Sequence, residues 1–395
     1  MPAAFDHQPC TRLVFGCDSV ERVGGLAREL GGKKVLLVTD PGIVAAGHAD
    51  RVRHLLVSEG LGVTVFGKAR ENPTTRDVDE CLAVAKAAGI DMIIGLGGGS
   101  SMDTAKGCNF LLTNGGRMQD YWGIGKATKP MLPLIAIPTT AGTGSECQSF
   151  ALIADEKTHQ KMACGDAKAV ARVAILDPAL TISQPARVAA CTGVDAITHA
   201  VETAVTRKRS ALSLMYSHEA FKLVVDSFPR VLRDPKNMDA RGRMLLGAAL
   251  AGTAIENSML GAAHSAANPL TAHFGMVHGQ AVGVMLPAVV RFNGRDAAAR
   301  LAYAELASAA EIACVSDGLE TALAALIARL ETLLNLAKMP RSLSECGVKH
   351  SQIKALAAEA AKQWTAGFNP RPVTEADFVE LYEAALQPRG DGESA

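Results

Sequence analysis

DMIIGLGGGSSMDTAKG, residues 91–107, decides how the first half of the chain is read. It opens with an apolar run of strand length, passes through three consecutive glycines and ends in a string of helix formers. A strand with no polar face belongs in a parallel sheet covered on both sides. Glycines let a backbone approach a phosphate closely, Ser100 or Ser101 is placed to cap the helix that follows, and the amides and dipole at a helix N-terminus favour an anion. A pyrophosphate held by Gly97, Gly98 and Gly99 fits that turn. The spacing is not G-x-G-x-x-G, so a tight strand-to-helix turn without a ligand stays open as the alternative.

Working outward, further β-branched runs occur at KVLLVTD (34–40), GVTVFG (62–67), LPLIAIPTT (132–140) and VAILDP (173–178). Helical segments lie between several of them, at 76–89 and 101–116. Strand and helix in alternation predict an α/β unit with a parallel sheet. Beyond residue 185 the chain turns to alanine- and leucine-rich stretches at helical spacing, such as 211–228, 240–256, 319–337 and 351–364. Two domains are expected, an α/β dinucleotide-binding domain over 1–183 and an all-α domain over 184–395, and RGDGESA at the end reads as a frayed tail.

Composition narrows the function classes. Hydrophobic residues make up 48% and charged residues 20%, which is ample for a core and unlike a disordered chain. Forty basic and forty acidic residues cancel, leaving no global field for nucleic acid or anionic membrane. No apolar run approaches the roughly 20 residues that span a bilayer, and the N-terminus lacks a signal-peptide pattern. Nine scattered cysteines without a C-x-x-C pair point to reduced thiols and a cytoplasmic setting.

A second turn, IPTTAGTGSE (137–146), repeats strand, hydroxyls and glycines, and two such turns suit one extended ligand along the carboxyl edge of a sheet. Asp40 closes KVLLVTD, where a carboxylate can accept from ribose hydroxyls and repel a 2′-phosphate, favouring NAD over NADP; a turn-forming Asp before Pro41 is the plain alternative. In GVDAITHAVE (193–202), Asp195 and His199 are four apart on one predicted helical face and could chelate, or could be an N-cap and a satisfied histidine. His264 and His278 lie in GAAHSAANPLTAHFGMVHGQAVG (261–283), where Pro269 is expected to interrupt the helix so that two helix ends present imidazoles to one point. One carboxylate with three imidazoles suits Fe(II) or Zn(II). The other histidines outside these segments, His159 among them, read as surface or core residues.

With GGGSSMDTAK, IPTTAGTGSE, DPALTISQP, GVDAITHAVE and HSAANPL…HGQAVGVMLP in this order, the chain resembles the iron-containing, group III alcohol dehydrogenase family over nearly its whole length. The resemblance implies a dehydroquinate synthase-like architecture with the active site in the cleft between two domains, and a homodimer or higher homo-oligomer. It implies metal ligands Asp195, His199, His264 and His278. It implies cofactor contacts from Asp40, Asn72, Gly98, Gly99, Ser100, Asp103, Thr139, Thr140, Thr143, Lys161 and Leu180, and a substrate pocket near Phe150, Ile255 and Ala262. Family members carry a second histidine four residues after the one matching His264, thought to relay the alcohol proton; here Asn268 stands there, leaving water, the cofactor ribose or His273 as the relay. The expected activity is hydride transfer between a small alcohol or aldehyde and NAD, with NADP as a variant. A hydroxyacid-oxoacid transhydrogenase, a reductase of a carboxylated or phosphonylated aldehyde, a related NAD-using lyase and an inactive nucleotide-binding protein are the competing readings.

Overall fold

A computed structural model describes Phe5, residues 7–158 and residues 160–387. His159 and the RGDGESA tail lie outside the described residues. The chain divides into two compact units, His7–Gln184 and the residues from Pro185 onward.

Among the described residues of the first unit, nine short strands form two sheets. β1 (Arg12–Phe15), β2 (Lys34–Val38), β3 (Gly62–Phe66), β4 (Met92–Gly97), β6 (Leu134–Pro138) and β9 (Val173–Leu176) make a parallel sheet in the order β1-β9-β6-β4-β2-β3. Alternate residues face opposite ways, and both faces are apolar. Val35, Leu37, Ile94, Leu96, Ile135 and Ile175 pack on α1 (Val23–Glu29) and α3 (His48–Ser58), while Leu36, Val38, Ile93 and Ala136 pack on α4 (Thr75–Ala88) and α5 (Gly99–Asn114). A short helix, α2 (Pro41–Ala45), follows β2, with Asp40 as its N-cap. β5 (Gly123–Ile124), β7 (Phe150–Ala154) and β8 (Lys161–Gly165) form a second sheet in the order β5-β8-β7, built on an antiparallel hairpin.

The strand order fixes where a ligand can lie. From β2 the chain moves outward to β3, then crosses back so that β4 pairs with the other side of β2 and the sheet grows the opposite way to β6. The reversal opens a crevice at the carboxyl ends of β2 and β4, the position of Asp40 and Gly97.

The second unit is helical: α6 (Ala186–Thr203), α7 (Ala211–Arg233), α8 (Met238–Ser258), α9 (Ala262–Phe274), α10 (His278–Asn293), α11 (Ala297–Ala309), α12 (Leu319–Leu336), α13 (Ile353–Ala360) and α14 (Glu375–Leu386). α6 is buried from Ala190 onward except at Thr192, and packs against α7, α8 and α10. No described helix is long and apolar enough to cross a membrane.

Two local expectations need correction. α5 is capped by Gly98, which has no side chain to offer, while Ser100 and Ser101 sit inside the first turn; the capping hydroxyl expected there is absent and the first amides of the helix keep no side-chain cap. Pro269 does not end its helix: α9 runs through it, and the break falls at Gly275, whose left-handed φ of 61° closes the helix before His278 opens the next. Proline removes one N–H and clashes with one carbonyl, a cost that burial of the flanking Ala266, Ala267 and Leu270 outweighs here.

Candidate metal centre and nucleotide platform

Four side chains of the helical unit converge. α6 carries Cys191, Asp195, His199 and Glu202 at helical spacings of four, four and three, so all lie along one buried stripe, and Asp195 is deep in the helix rather than an N-cap. α9 places His264 in its first turn and α10 opens on His278. Asp195 Oδ1 lies 3.4 Å from His199 Nε2, 3.4 Å from His264 Nε2 and 3.8 Å from His278 Nε2. The His199 and His264 rings stack with centroids 4.8 Å apart. His278 is the outer member, its side chain 28% exposed against 6% for His199 and His264.

These atoms suit a metal ion. Tetrahedral ligands bonded at about 2.1 Å lie roughly 3.4 Å apart along each edge. Asp195, His199 and His264 form a compact buried set of potential ligand atoms. Asp195 Oδ1 and His264 Nε2 are both buried and neither makes a hydrogen bond among the described residues, an expense a fold rarely tolerates without a partner for them. Burial pushes the Asp195 carboxyl up, but the His199, His278 and His264 imidazoles outweigh it and hold the group below its ordinary range, ionised. Burial lowers the His264 imidazole, but the Glu202 and Asp195 carboxylates overcome that and push it up to about 9, so a cation at this point replaces a proton.

α10 reaches α6 only because Gly279 lacks a side chain. A Cβ there would sit 2.0 Å from the Cys191 carbonyl oxygen, one helical turn before Asp195. Gly279, expected from the sequence only to loosen the turn before α10, instead permits this close approach. Glu202 is not singled out by the sequence reading, although it continues the Asp195–His199 stripe.

In the α/β unit the two glycine-bearing turns meet. Gly97 has φ 145°, and a Cβ on it would lie 2.6 Å from Ser101 Oγ and 2.9 Å from Asp40 Oδ2; on Gly99 it would lie 2.8 Å from Thr143 Cγ2. Gly98 faces Thr140. Asp40 accepts from the Ile43 amide at 3.1 Å and from Ser101 Oγ at 3.1 Å, so it is a helix cap and a neighbour of the glycine turn at once. Asn72, with φ 52°, donates its amide to Ser100 Oγ at 3.2 Å. Thr139 is buried, and its amide bonds to the Gly97 carbonyl at 3.0 Å. Leu180 is wholly buried in the core behind the sheet.

Beneath these turns Lys106, fully buried, reaches the Ser145, Gln148 and Phe150 carbonyls at 2.6, 2.7 and 2.9 Å and Ser145 Oγ at 2.9 Å. Ser145 Oγ donates to Asp103 at 3.1 Å. Burial pushes the Asp103 carboxyl up to about 6 even with Lys106 and Lys161 nearby, and Lys161 itself is exposed at the start of β8. Glu146 is pushed up to about 7 by burial.

The remaining expected residues are spread more widely. The Phe150 ring lies against Gly165 within the small sheet. Ile255 is buried near the end of α8 and Ala262 is buried at the start of α9, two residues before His264. Asn268, one turn beyond His264, donates to Gln363 Oε1 at 3.0 Å. His273 is half exposed at the far end of α9, paired with Glu359 at 2.8 Å. Nine residues of helix separate it from His264, about 13 Å along the axis.

Residues 10–178 match the model of iron-containing alcohol dehydrogenases, and residues 189–386 match that of the C-terminal domain of the same family. The chain is 35% identical over 376 residues to an NAD-dependent methanol dehydrogenase of Bacillus methanolicus, covering 94% of this chain and 97% of the relative. It is 33% identical to a 1,3-propanediol dehydrogenase of Klebsiella pneumoniae, covering 97% and 99% of the two. The crystal structure of a 1,3-propanediol oxidoreductase superposes with a TM-score of 0.93 at 32% identity, over 97% of this chain and all of that one. The Asp-His-His-His convergence, two matching domain models and relatives at 33 to 35% identity lead to one conclusion: this chain belongs to the iron-containing alcohol dehydrogenase family.

Proposed function

We propose that the protein is a metal-dependent, NAD-linked alcohol dehydrogenase and aldehyde reductase acting on a small aliphatic substrate. The observation that carries this is the approach of three imidazole Nε2 atoms to one buried carboxylate oxygen, at 3.4, 3.4 and 3.8 Å. Asp195, His199, His264 and His278 hold a divalent ion, iron or zinc. Bound there, it supplies Lewis acidity toward an alcohol or carbonyl oxygen. The crevice at the ends of β2 and β4 holds NAD, with Gly97, Gly98, Gly99 and the uncapped amides of α5 toward the pyrophosphate and Asp40 toward the adenosine ribose. Asn72, Ser100, Asp103, Thr139, Thr140, Thr143, Lys161 and Leu180 complete that platform.

The protein's own residues define what remains. Asp195 supplies negative charge without accepting a proton, because positive charge beside it, on protonated imidazoles or on the ion that replaces their protons, keeps it ionised. Ile255 and Ala262 offer apolar surface in the helical unit, where Ala262 lies two residues before His264, and Phe150 is the pocket residue expected in the α/β unit. Asn268 is neutral at all ordinary pH and its amide is committed to Gln363, while His273 is committed to Glu359. The alcohol proton therefore exchanges with water rather than through a histidine on α9. Nine scattered cysteines without a C-x-x-C pair support a reducing, cytoplasmic setting, and a homo-oligomer is the expected state.

The test is a panel of short aliphatic, carboxylated and phosphonylated aldehydes with NADH and NADPH, using protein stripped of metal and reloaded with Fe(II) or Zn(II). Stripping is expected to lower turnover at least a thousandfold and reloading to restore it. Undiminished turnover in the stripped protein would refute the metal reading, and activity confined to anionic aldehydes would refute the substrate class.

A further inference from the structure

Glu202 contributes no atom to the Asp195 oxygen, yet it is among the most committed carboxylates in the chain. It is 3% exposed on α6, three residues past His199. One oxygen, Oε1, accepts the backbone N–H of Ala263 at 2.7 Å; the other, Oε2, takes the Nδ1 side of His264 at 2.5 Å. A carboxylate only accepts, so the proton of this bond belongs to His264 Nδ1. The opposite ring nitrogen, Nε2, is then the one that can offer a lone pair, and it is the nitrogen 3.4 Å from Asp195 Oδ1.

The same carboxylate also starts the helix that carries His264. Gly261, at the N-cap of α9, has no side chain, and the first amides of the helix are taken by neighbours instead: Ala262 by Asn369 Oδ1 at 3.3 Å and Ala263 by Glu202. A Cβ on Gly261 would lie 3.1 Å from Glu202 Oε1 and 3.0 Å from Asn369 Oδ1, so the helix start is pressed against its substitute caps. Glu202 thus ties the α6 stripe to the origin of α9 by two bonds, one to backbone and one to the ring.

We propose that Glu202 is a positioning residue for the metal centre: it sets the tautomer and ring orientation of His264 while fixing the start of α9, so that Nε2 is presented to the ion. This rests on the metal reading given above. Glutamine has the same shape but only one accepting oxygen, so E202Q must turn an NH2 either on the Ala263 amide or on His264 Nδ1. In the second case the ring proton moves to Nε2 and blocks the ligand position.

The experiment compares wild type, E202Q, E202D and D195N, all metal-stripped, by competition with a chromophoric chelator for Zn(II) and by the visible ligand-field spectrum after Co(II) loading. The thermal melt of each stripped protein reports folding. E202Q is expected to weaken Zn(II) binding roughly 10- to 100-fold and to shift the Co(II) bands, and E202D, which keeps a carboxylate, to recover part of the loss. If D195N loses metal while folded E202Q matches wild type in affinity and spectrum, the inference falls and the metal reading stands. If D195N itself binds like wild type, the metal reading falls. Should E202Q fail to fold, 15N-histidine spectra of Zn(II)-loaded wild type decide: a proton on His264 Nδ1 is expected, and one on Nε2 overturns the proposal.

Discussion

The candidate metal centre in the helical unit and the Lys106 network in the α/β unit are both clusters of charged side chains, and they treat their buried carboxyl groups in opposite ways. Asp195 is surrounded by imidazoles and held ionised, with one oxygen left without a hydrogen bond. Asp103 and Glu146 are pushed up to about 6 and about 7 by burial, although the Lys106 ammonium lies close to both. The difference lies in where the cation is spent. Lys106 directs its ammonium at carbonyls of residues 145, 148 and 150, so it locks a loop, and its charge only partly offsets the burial that raises both acids. The histidines direct their nitrogens at a single oxygen, an arrangement that is costly unless something positive sits among them. One cluster holds backbone still, and the other gathers ligand atoms that suit an ion.

The comparison breaks most visibly at Gly279. Gly279→Ala puts a methyl on the Cys191 carbonyl, so α10 must shift and carry His278 away. We expect the helical unit to lose about 3 kcal/mol of stability and metal affinity to fall at least tenfold, read by thermal melting and chelator competition. NAD binding by the α/β unit, measured by calorimetry, is expected to be unchanged. A G279A protein with wild-type metal affinity would show that α10 is not held by that contact.

The next effect belongs to the Lys106 side. A carboxyl whose folded pKa is raised stabilises the fold fully below its unfolded value and loses that contribution as pH rises through the folded value. For Glu146 the window runs from its ordinary 4.5 up to about 7. Glu146→Gln, which mimics the protonated acid, should flatten the decline of stability across that window, sparing up to about 3 kcal/mol by pH 8. Equal pH profiles for wild type and E146Q in denaturant titrations would exclude the effect.

The smallest change expected is at Asp40. Asp40→Ala removes the charge beside Gly97 and one helix cap. Preference for NAD over NADP should fall by about tenfold, near 1.4 kcal/mol, measured as the ratio of kcat/KM for the two cofactors. A ratio unchanged in D40A would mean the carboxylate serves α2 alone.

Much of this architecture was legible because it follows from periodicity. The apolar runs at 34–40, 62–67, 91–99, 132–140 and 173–178 became β2, β3, β4, β6 and β9, since a strand buried on both faces needs no polar residue to be recognised. β1, β5 and the β7–β8 hairpin escaped notice, being short or lacking a turn signal that distinguishes a hairpin from a loop. Pro269 was misjudged because intrinsic helix propensity is a weak prior against the packing of a buried helix. At the site, Asp195 and His199 are a local pair that a helical wheel reveals, and His264 and His278 are brought beside them by the expected break in their helix together with the order of motifs.

Sequence alone determined the chemical inventory: which residues could bind a cation, which turns could meet a phosphate, and that Asn, which cannot move a proton near neutral pH, stands at position 268. Only the tertiary structure decided that three imidazoles face one carboxylate oxygen, that Glu202 holds His264 by its far nitrogen, and that Gly279 lets α10 touch α6. Such facts depend on contacts between residues up to 80 or more positions apart, such as Asp195 and His278. Spacing along a chain carries no information about those contacts until packing closes them.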